Sequence, residues 1–341
     1  MTDFNLTSAR GGDSLASVTV RRTQYFFAMF MFCPTYELGA IPSLLAQLDT
    51  FPNGTQLENV LTYTPLQYQL ISHLLIIGVS AQAAGFVYFL TSSNRSLSRF
   101  QPSSNLSAIV MTSAFLLLLW QTIGWATSFQ FDGTVWGLPV GQNGRVIQSE
   151  FSNGYRYLNW SIDVPCLLVQ LLYVFDLTPQ KFRNLRTKFI AAGLLMIYTG
   201  YIGQYFELSN NFWFLVWGAI STVFFVYILY LVGNLLFRGR ENFPHQAYKA
   251  VGTTWWLILI SWTLYPLAYL VPLGWQFFPE WGGWSGVVRQ FLFTVADVFS
   301  KVIFGVLLSA VTQIRSAAEG YEPAIQVQPE GGAASREYIE R

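Results

Sequence analysis

The sequence predicts an all-α membrane protein, a seven-transmembrane-helix bundle with a short external β-hairpin between helices 2 and 3. Two observations carry the prediction. Of 341 residues, 52% are hydrophobic and only 11% are charged, a balance far from that of a soluble globular domain. The charges are also clustered, which leaves uncharged runs of the roughly eighteen or more residues that a hydrocarbon core about 30 Å thick demands of a helix.

These runs place seven spans at 66–91, 105–128, 154–176, 189–206, 212–236, 250–273 and 287–314. The connections 92–104, 177–188 and 237–249 hold Arg95, Arg99, Lys181, Arg183, Arg186, Lys188, Arg238, Arg240 and Lys249, whereas the opposite connections hold almost only Arg145. By the positive-inside rule the basic connections lie in the cytoplasm, the N-terminus outside and the C-terminus inside. The segment 129–153, with FDGTVWGLPVGQNG, has the Gly and Pro punctuation of a hairpin cap.

Residues 1–57 precede the bundle of residues 58–315. Arg21-Arg22 followed by YFFAMFMFC is similar to the charged and apolar regions of a signal peptide, and an unprocessed extension or external cap is the other reading. Residues 316–341, rich in Gly, Ala, Glu and Pro, read as a disordered cytoplasmic tail. Cys33 and Cys166 read as free thiols. A net charge of +1 and the absence of a nucleotide-binding loop exclude nucleic acid and nucleotides as partners.

Ionisable residues at the bilayer centre are expensive and mark function, and here they are Arg156, Asp163, Asp297 and Lys301. Their charges sum to zero, as expected of one interacting cluster. Lys301 lies in the middle of the last span with Asp297 one helical turn before it, a structural ion pair on the bland reading. A desolvated lysine at that depth is also an ideal partner for an aldehyde, with Asp297 as counter-ion. Trp160, Trp217, Trp262, Tyr265 and Tyr269 are either plain core or the walls around a long polyene.

The motifs RYLNWSIDVP, SWTLYP and ADVFSKVIFG resemble those of microbial rhodopsins over roughly residues 58–314. NGYRYLNW, TGYIGQ, ELSN and VWGAIS extend the resemblance to the light-driven sodium pumps, whose Asn-Asp-Gln triplet corresponds to Asn159, Asp163 and Gln170. Steps of four and seven residues put these three on one helix face, spread over about 16 Å of depth.

The resemblance implies an ion transporter rather than an enzyme, in the plasma (inner) membrane of a bacterium. It implies all-trans retinal bound as a Schiff base to Lys301, in a pocket with Trp160, Trp217, Trp262, Tyr265, Pro266, Tyr269, Gly218 and Ser300, and Asp163 as transient proton acceptor. Sodium would pass Ser107, Ser113 and Gln170, sit transiently near Asn159 and Asp297, be kept from returning by Arg156, and leave by Glu207, Arg289 and Glu58. Li+ or H+ are possible alternative cargoes. A homo-oligomer, a pentamer, is implied, with His73 at a subunit contact or in the core. Gly218 reads as a packing glycine or as an opening for a carotenoid antenna, and Glu207 with Arg289 as an interfacial salt bridge in the bland case.

Three positions depart from the sodium-pump pattern: Ser149, beside Glu150, where an external aspartate is expected, and Ser104 and Ser309 at the cytoplasmic ion filter. A light-driven outward proton pump and a sensory photoreceptor are the alternatives. A G-protein-coupled receptor is excluded, because the last span lacks Asn-Pro-x-x-Tyr and the third lacks Asp-Arg-Tyr.

Overall fold

The structure is a computed structural model that describes residues 51–139, 149, 151–239 and 243–321. The expectations for the leader with Cys33 and Arg21-Arg22, for Arg145, Glu150 and Arg240, and for the tail from residue 322 lie outside the described residues.

Seven helices form the bundle: α1 (Pro65–Ser92), α2 (Gln101–Ser128), α3 (Gly154–Leu172), α4 (Pro179–Gln204), α5 (Asn211–Gly239), α6 (His245–Phe277) and a seventh running Gly283–Ala318. The seventh consists of α7 (Gly283–Asp297), a π-helical turn (Val298–Ile303) and α8 (Phe304–Ala318). Each helix packs on the next, and α7 returns to α1, which closes the ring.

Local chemistry fixes the starts. Thr64 and Gln67 form a reciprocal capping box with Pro65 in the first turn of α1. Thr178 caps α4 ahead of Pro179, so this helix begins ten residues before the expected span at 189. Lys181, Arg183, Arg186 and Lys188 consequently sit on exposed positions of the first turns of α4 instead of in a connection. The third helix stops at Leu172 rather than 176 and continues as tight turns.

Five of the seven helices are long and apolar enough to cross a membrane by composition alone, and α3 and α4 are not among them. The basic start of α4 explains one case. In α3 the inward face is polar, with Arg156, Asn159, Asp163 and Gln170 buried, while Leu158 and Ile162 are about half exposed outward. Apolar side chains on the outside and ionisable ones within are what hydrocarbon surroundings favour.

The hairpin expected between helices 2 and 3 is present as β1 (Gln130–Phe131) and β2 (Trp136–Gly137), paired Gln130 to Gly137 and Phe131 to Trp136. Gly133 takes φ +105 in its turn, and the Asp132 carboxylate accepts from the backbone N–H groups of Thr134 and Val135, each at 2.8 Å. Trp136 exchanges backbone bonds with Tyr63 and stacks on Tyr68 at 3.9 Å, which anchors the hairpin over one end of the bundle. The other end carries the basic residues. Residues 51–57 also pack at the hairpin end, where Gly54 N donates to Tyr205 O at 2.7 Å.

Candidate functional site

The four ionisable residues expected at the bilayer centre meet in one cluster. Lys301, 2% exposed, donates from Nζ to Asp297 Oδ1 and, at 3.3 Å, to Tyr265 Oη; Asp163 Oδ2 lies 3.7 Å from the same nitrogen. Arg156 Nη1 donates to Asp297 Oδ2 at 2.7 Å, and Tyr265 Oη to Asp297 Oδ1 at 2.8 Å. Asp297 thus accepts from three donors, and two cations balance two carboxylates without access to water, the arrangement in which buried charges are tolerated.

Asp163 is held differently. It accepts from Asn159 Nδ2 at 2.5 Å through Oδ2, and Asn159 in turn accepts from the Ser113 hydroxyl. Its second oxygen, Oδ1, is buried with no protein partner. A carboxylate beside a buried ammonium, with one oxygen uncommitted, can accept a proton with less rearrangement than Asp297 could.

The π turn contains Ser300 and Lys301, and such turns gather at functional sites because they widen the helix by one residue. Ser300 Oγ lies 2.9 Å from Tyr265 Oη. The expected α-helical spacing from Asp297 to Lys301 is therefore met by a wider turn, and the two side chains still share a face.

Next to the cluster lies a cavity with about 790 Å³ of space free of protein atoms, counting its open mouth. Lys301, Asp163 and Ser300 reach it, and Trp160, Trp262, Tyr265, Pro266, Tyr269 and Gly218 line it. Trp160 meets Tyr265 edge to face at 4.8 Å. A Cβ on Gly218 would stand 2.8 Å from the Tyr269 ring, so the glycine makes room for that tyrosine. Trp217 is not among the lining residues; Gly200, Ser221 and Thr222 line the cavity where sequence reasoning named nothing. An amine buried among aromatic walls fits an extended, conjugated aldehyde.

Two polar layers flank the cluster along the bundle axis. Toward the basic end Ser107 Oγ donates to Gln170 Oε1 at 2.6 Å, and Gln170 Nε2 is buried without a partner. Ser104 and Ser309 are buried on the same side. Toward the hairpin end Arg289 donates to Glu58 Oε2 at 3.0 Å and to Glu207 at 3.1 and 2.7 Å.

Glu58, Glu207 and Arg289 are each 0% exposed, so the interfacial salt bridge expected in the bland case is instead a buried triad. Leu57 N adds a bond to Glu207 at 2.7 Å. Sequence reasoning missed Gln290, which accepts from Arg156 at 3.2 Å and donates to Glu58 at 2.9 Å and Asn153 at 3.1 Å. This amide joins the triad to the central cluster, a link that the sequence of its span does not reveal. Ser149 Oγ accepts from Phe151 N at 3.0 Å, and His73 is exposed on α1.

Residues 69–314 match the family described as bacteriorhodopsin-like protein. Bacteriorhodopsin of Halobacterium salinarum is 30% identical over 175 residues, 50% of this chain and 60% of that protein. A blue-light absorbing proteorhodopsin from a gamma-proteobacterium is 22% identical over 54% of this chain and 72% of its own length. The matched stretch spans about 60% of the bacteriorhodopsins it resembles. Among solved structures, a thermophilic rhodopsin superposes with a TM-score of 0.68 at 28% identity, covering 76% of this chain and 99% of that one. Xanthorhodopsin, described as a light-driven ion pump with dual chromophore, gives 0.66 at 27% identity, with 76% and 99% covered. With this fold and the matched family covering most of the chain, the protein belongs to the bacteriorhodopsin-like family of microbial, type 1 rhodopsins.

Proposed function

We propose that this chain is a light-driven outward sodium pump that uses retinal at Lys301. The observation that carries the reading is the row Ser113, Asn159, Asp163, which ends 3.7 Å from Lys301 Nζ. The carboxylate stands beside the amine, and the positions one turn outward and two turns inward on α3 hold neutral amides, Asn159 and Gln170. In the resemblance to proton pumps those two positions carry the proton acceptor and donor.

When bound, retinal supplies light absorption and a change of shape at its covalent attachment to Lys301 Nζ. Trp160, Trp262 and Tyr265 confine it, and Asp297, held by Arg156 and Tyr265, stabilises positive charge at Nζ. The proton on Nζ passes to Asp163. This step matters because a cation about 4 Å from a charged nitrogen is repelled by roughly 4 kcal/mol at an effective dielectric of 20, about a thousandfold in occupancy. With the proton on Asp163, sodium from the cytoplasm passes Ser107 and Gln170 and rests near Asn159 and Asp297, whose oxygens suit a hard cation.

Return of the proton from Asp163 to Nζ restores the positive charge behind the ion. Arg156 opposes backflow, and release proceeds past Gln290 and the Glu58, Glu207, Arg289 triad. His73, on the outer face of α1, is where a contact in a homo-oligomer falls. Gly218 leaves room for the Tyr269 ring, and it also borders an open hollow with Thr222, Val226 and Pro266, where a carotenoid antenna would have its opening.

The test is external pH in illuminated, retinal-supplied cells in sodium medium. Sodium export gives passive proton uptake that grows with a protonophore and vanishes without sodium. Light-driven acidification abolished by the protonophore would assign the protein to outward proton transport instead.

A further inference from the structure

We propose that Arg315 and Asp176 form the cytoplasmic gate of the cation path, Asp176 taking the incoming monovalent cation and the Arg315 guanidinium barring the way beyond it. The proposal rests on the transport direction given above, and its site lies outside every residue assigned so far.

Arg315 is a buried cation, 5% exposed, that the central cluster does not use. Its Nη1 donates to the carbonyl of Val174 and its Nη2 to Asp176 Oδ2. The guanidinium lies between two rings, 4.9 Å from the Phe100 centroid and 4.4 Å from that of Phe243. One side chain on α8 thus ties together the start of α2, the turn after α3 and the residues leading into α6.

Its register puts it on the path. Val174 follows Gln170 by four residues, and Phe100 precedes Ser107 by seven. The guanidinium therefore stands one to two helical turns, roughly 6–10 Å, beyond the Ser107–Gln170 pair on the basic side. An ion moving from that end toward Gln170 meets it first. While the guanidinium is in place its positive charge repels a cation.

Asp176 is its complement. Its side chain is 60% exposed while its partner's is 5%, so one partner faces water and the other the interior. With Tyr173, Leu177, Pro179, Arg99 and Arg183 it borders an open hollow of about 1030 Å³ at the ends of α2, α3 and α4, where Arg183 donates to Gln180. The nearby Arg99 is already paired with Glu319, which leaves Asp176 as the carboxylate directed to both the hollow and the plug. A cation arriving in the hollow competes with Arg315 for that carboxylate. When the cation wins, the guanidinium is free to leave its place between the rings.

A tie between helix ends would produce the same contacts, so the test must read charge rather than integrity. Thr312, fully buried three residues deeper on α8, is replaced by Cys in a Cys33→Ser, Cys166→Ser background of the full chain. Its labelling by a cationic thiol reagent and by a neutral one of equal size is followed in inverted vesicles, in the dark and without sodium.

Arg315→Gln should speed the cationic reagent at least about tenfold and the neutral reagent much less. Equal acceleration of both, or of neither, overturns the proposal. If Arg315→Gln does not fold, Arg315→Met, which keeps the stem between the rings, carries the same comparison. Failure of both to fold would make Arg315 a structural tie and overturn the gate. Because light and sodium are absent, a negative result leaves the sodium reading standing, and loss of the sodium reading leaves the labelling result intact.

Discussion

Asp163 and Asp297 flank the same ammonium, yet their surroundings give them different tasks. Asp297 accepts from Lys301, Arg156 and Tyr265, whereas Asp163 keeps Oδ1 free. Asp163→Asn should therefore leave a folded, coloured protein in which the proton acceptor is gone; flash spectroscopy should show no deprotonated species, and light-driven transport should fall more than about tenfold. Lys301→Ala should give no visible absorption after retinal is added, while circular dichroism still reports a helical bundle. At Gly218 the limit is steric. A valine there would push its Cβ into the Tyr269 ring and disturb the bond from Tyr269 to Phe214 O, so Gly218→Val should cost about 1–3 kcal/mol in thermal unfolding and alter the absorption maximum.

Among the elements, the hairpin end is held by charges and turns that behave differently on truncation. Arg289→Gln strands the buried carboxylates of Glu58 and Glu207, so it should destabilise by about 3–5 kcal/mol in thermal unfolding, more than Arg99→Gln at its exposed pair. In the hairpin turn, the Val135 and Thr134 N–H groups and the Thr134 hydroxyl hold the Asp132 carboxyl below the usual range. A lowered folded pKa means this contribution is present above the unfolded value of about 3.9 and is lost as pH falls through the folded one. Hydrogen exchange at Thr134 and Val135 should quicken only under that acid condition, and Asp132→Ala should remove the pH dependence.

Much of this was legible before the structure, because a charge in an apolar run stands out whatever it touches: Lys301, Asp297, Asp163 and Arg156 were found that way. Gln290 and Asn153 were not, since an amide bridging α7 and α3 is recognised only once the helices are placed. Arg315 escaped for the opposite reason, because at the basic end another arginine draws no notice. The early start of α4 came from Thr178 and Pro179, a local signal that the hydropathy of the span concealed.

For the whole molecule, direction is the property on which outward transport depends, and it follows from one asymmetry. Lys181, Arg183, Arg186 and Lys188 crowd one end, and the hairpin with Asp132 and Thr134 caps the other. Basic residues resist translocation, so the hairpin is expected to face outward. On that expectation the central row has a sense: Gln170 and Ser107 toward the cytoplasm, Asn159 beside Asp163, and Glu58 with Arg289 toward the outside. Single cysteines in a cysteine-free chain test it. Thr134→Cys should react with an impermeant thiol reagent in intact cells, and Arg183→Cys only after permeabilisation. The reverse pattern would turn the same row around, making the triad the point of uptake and the Gln170 layer the point of release, and would overturn sodium export as the direction of transport.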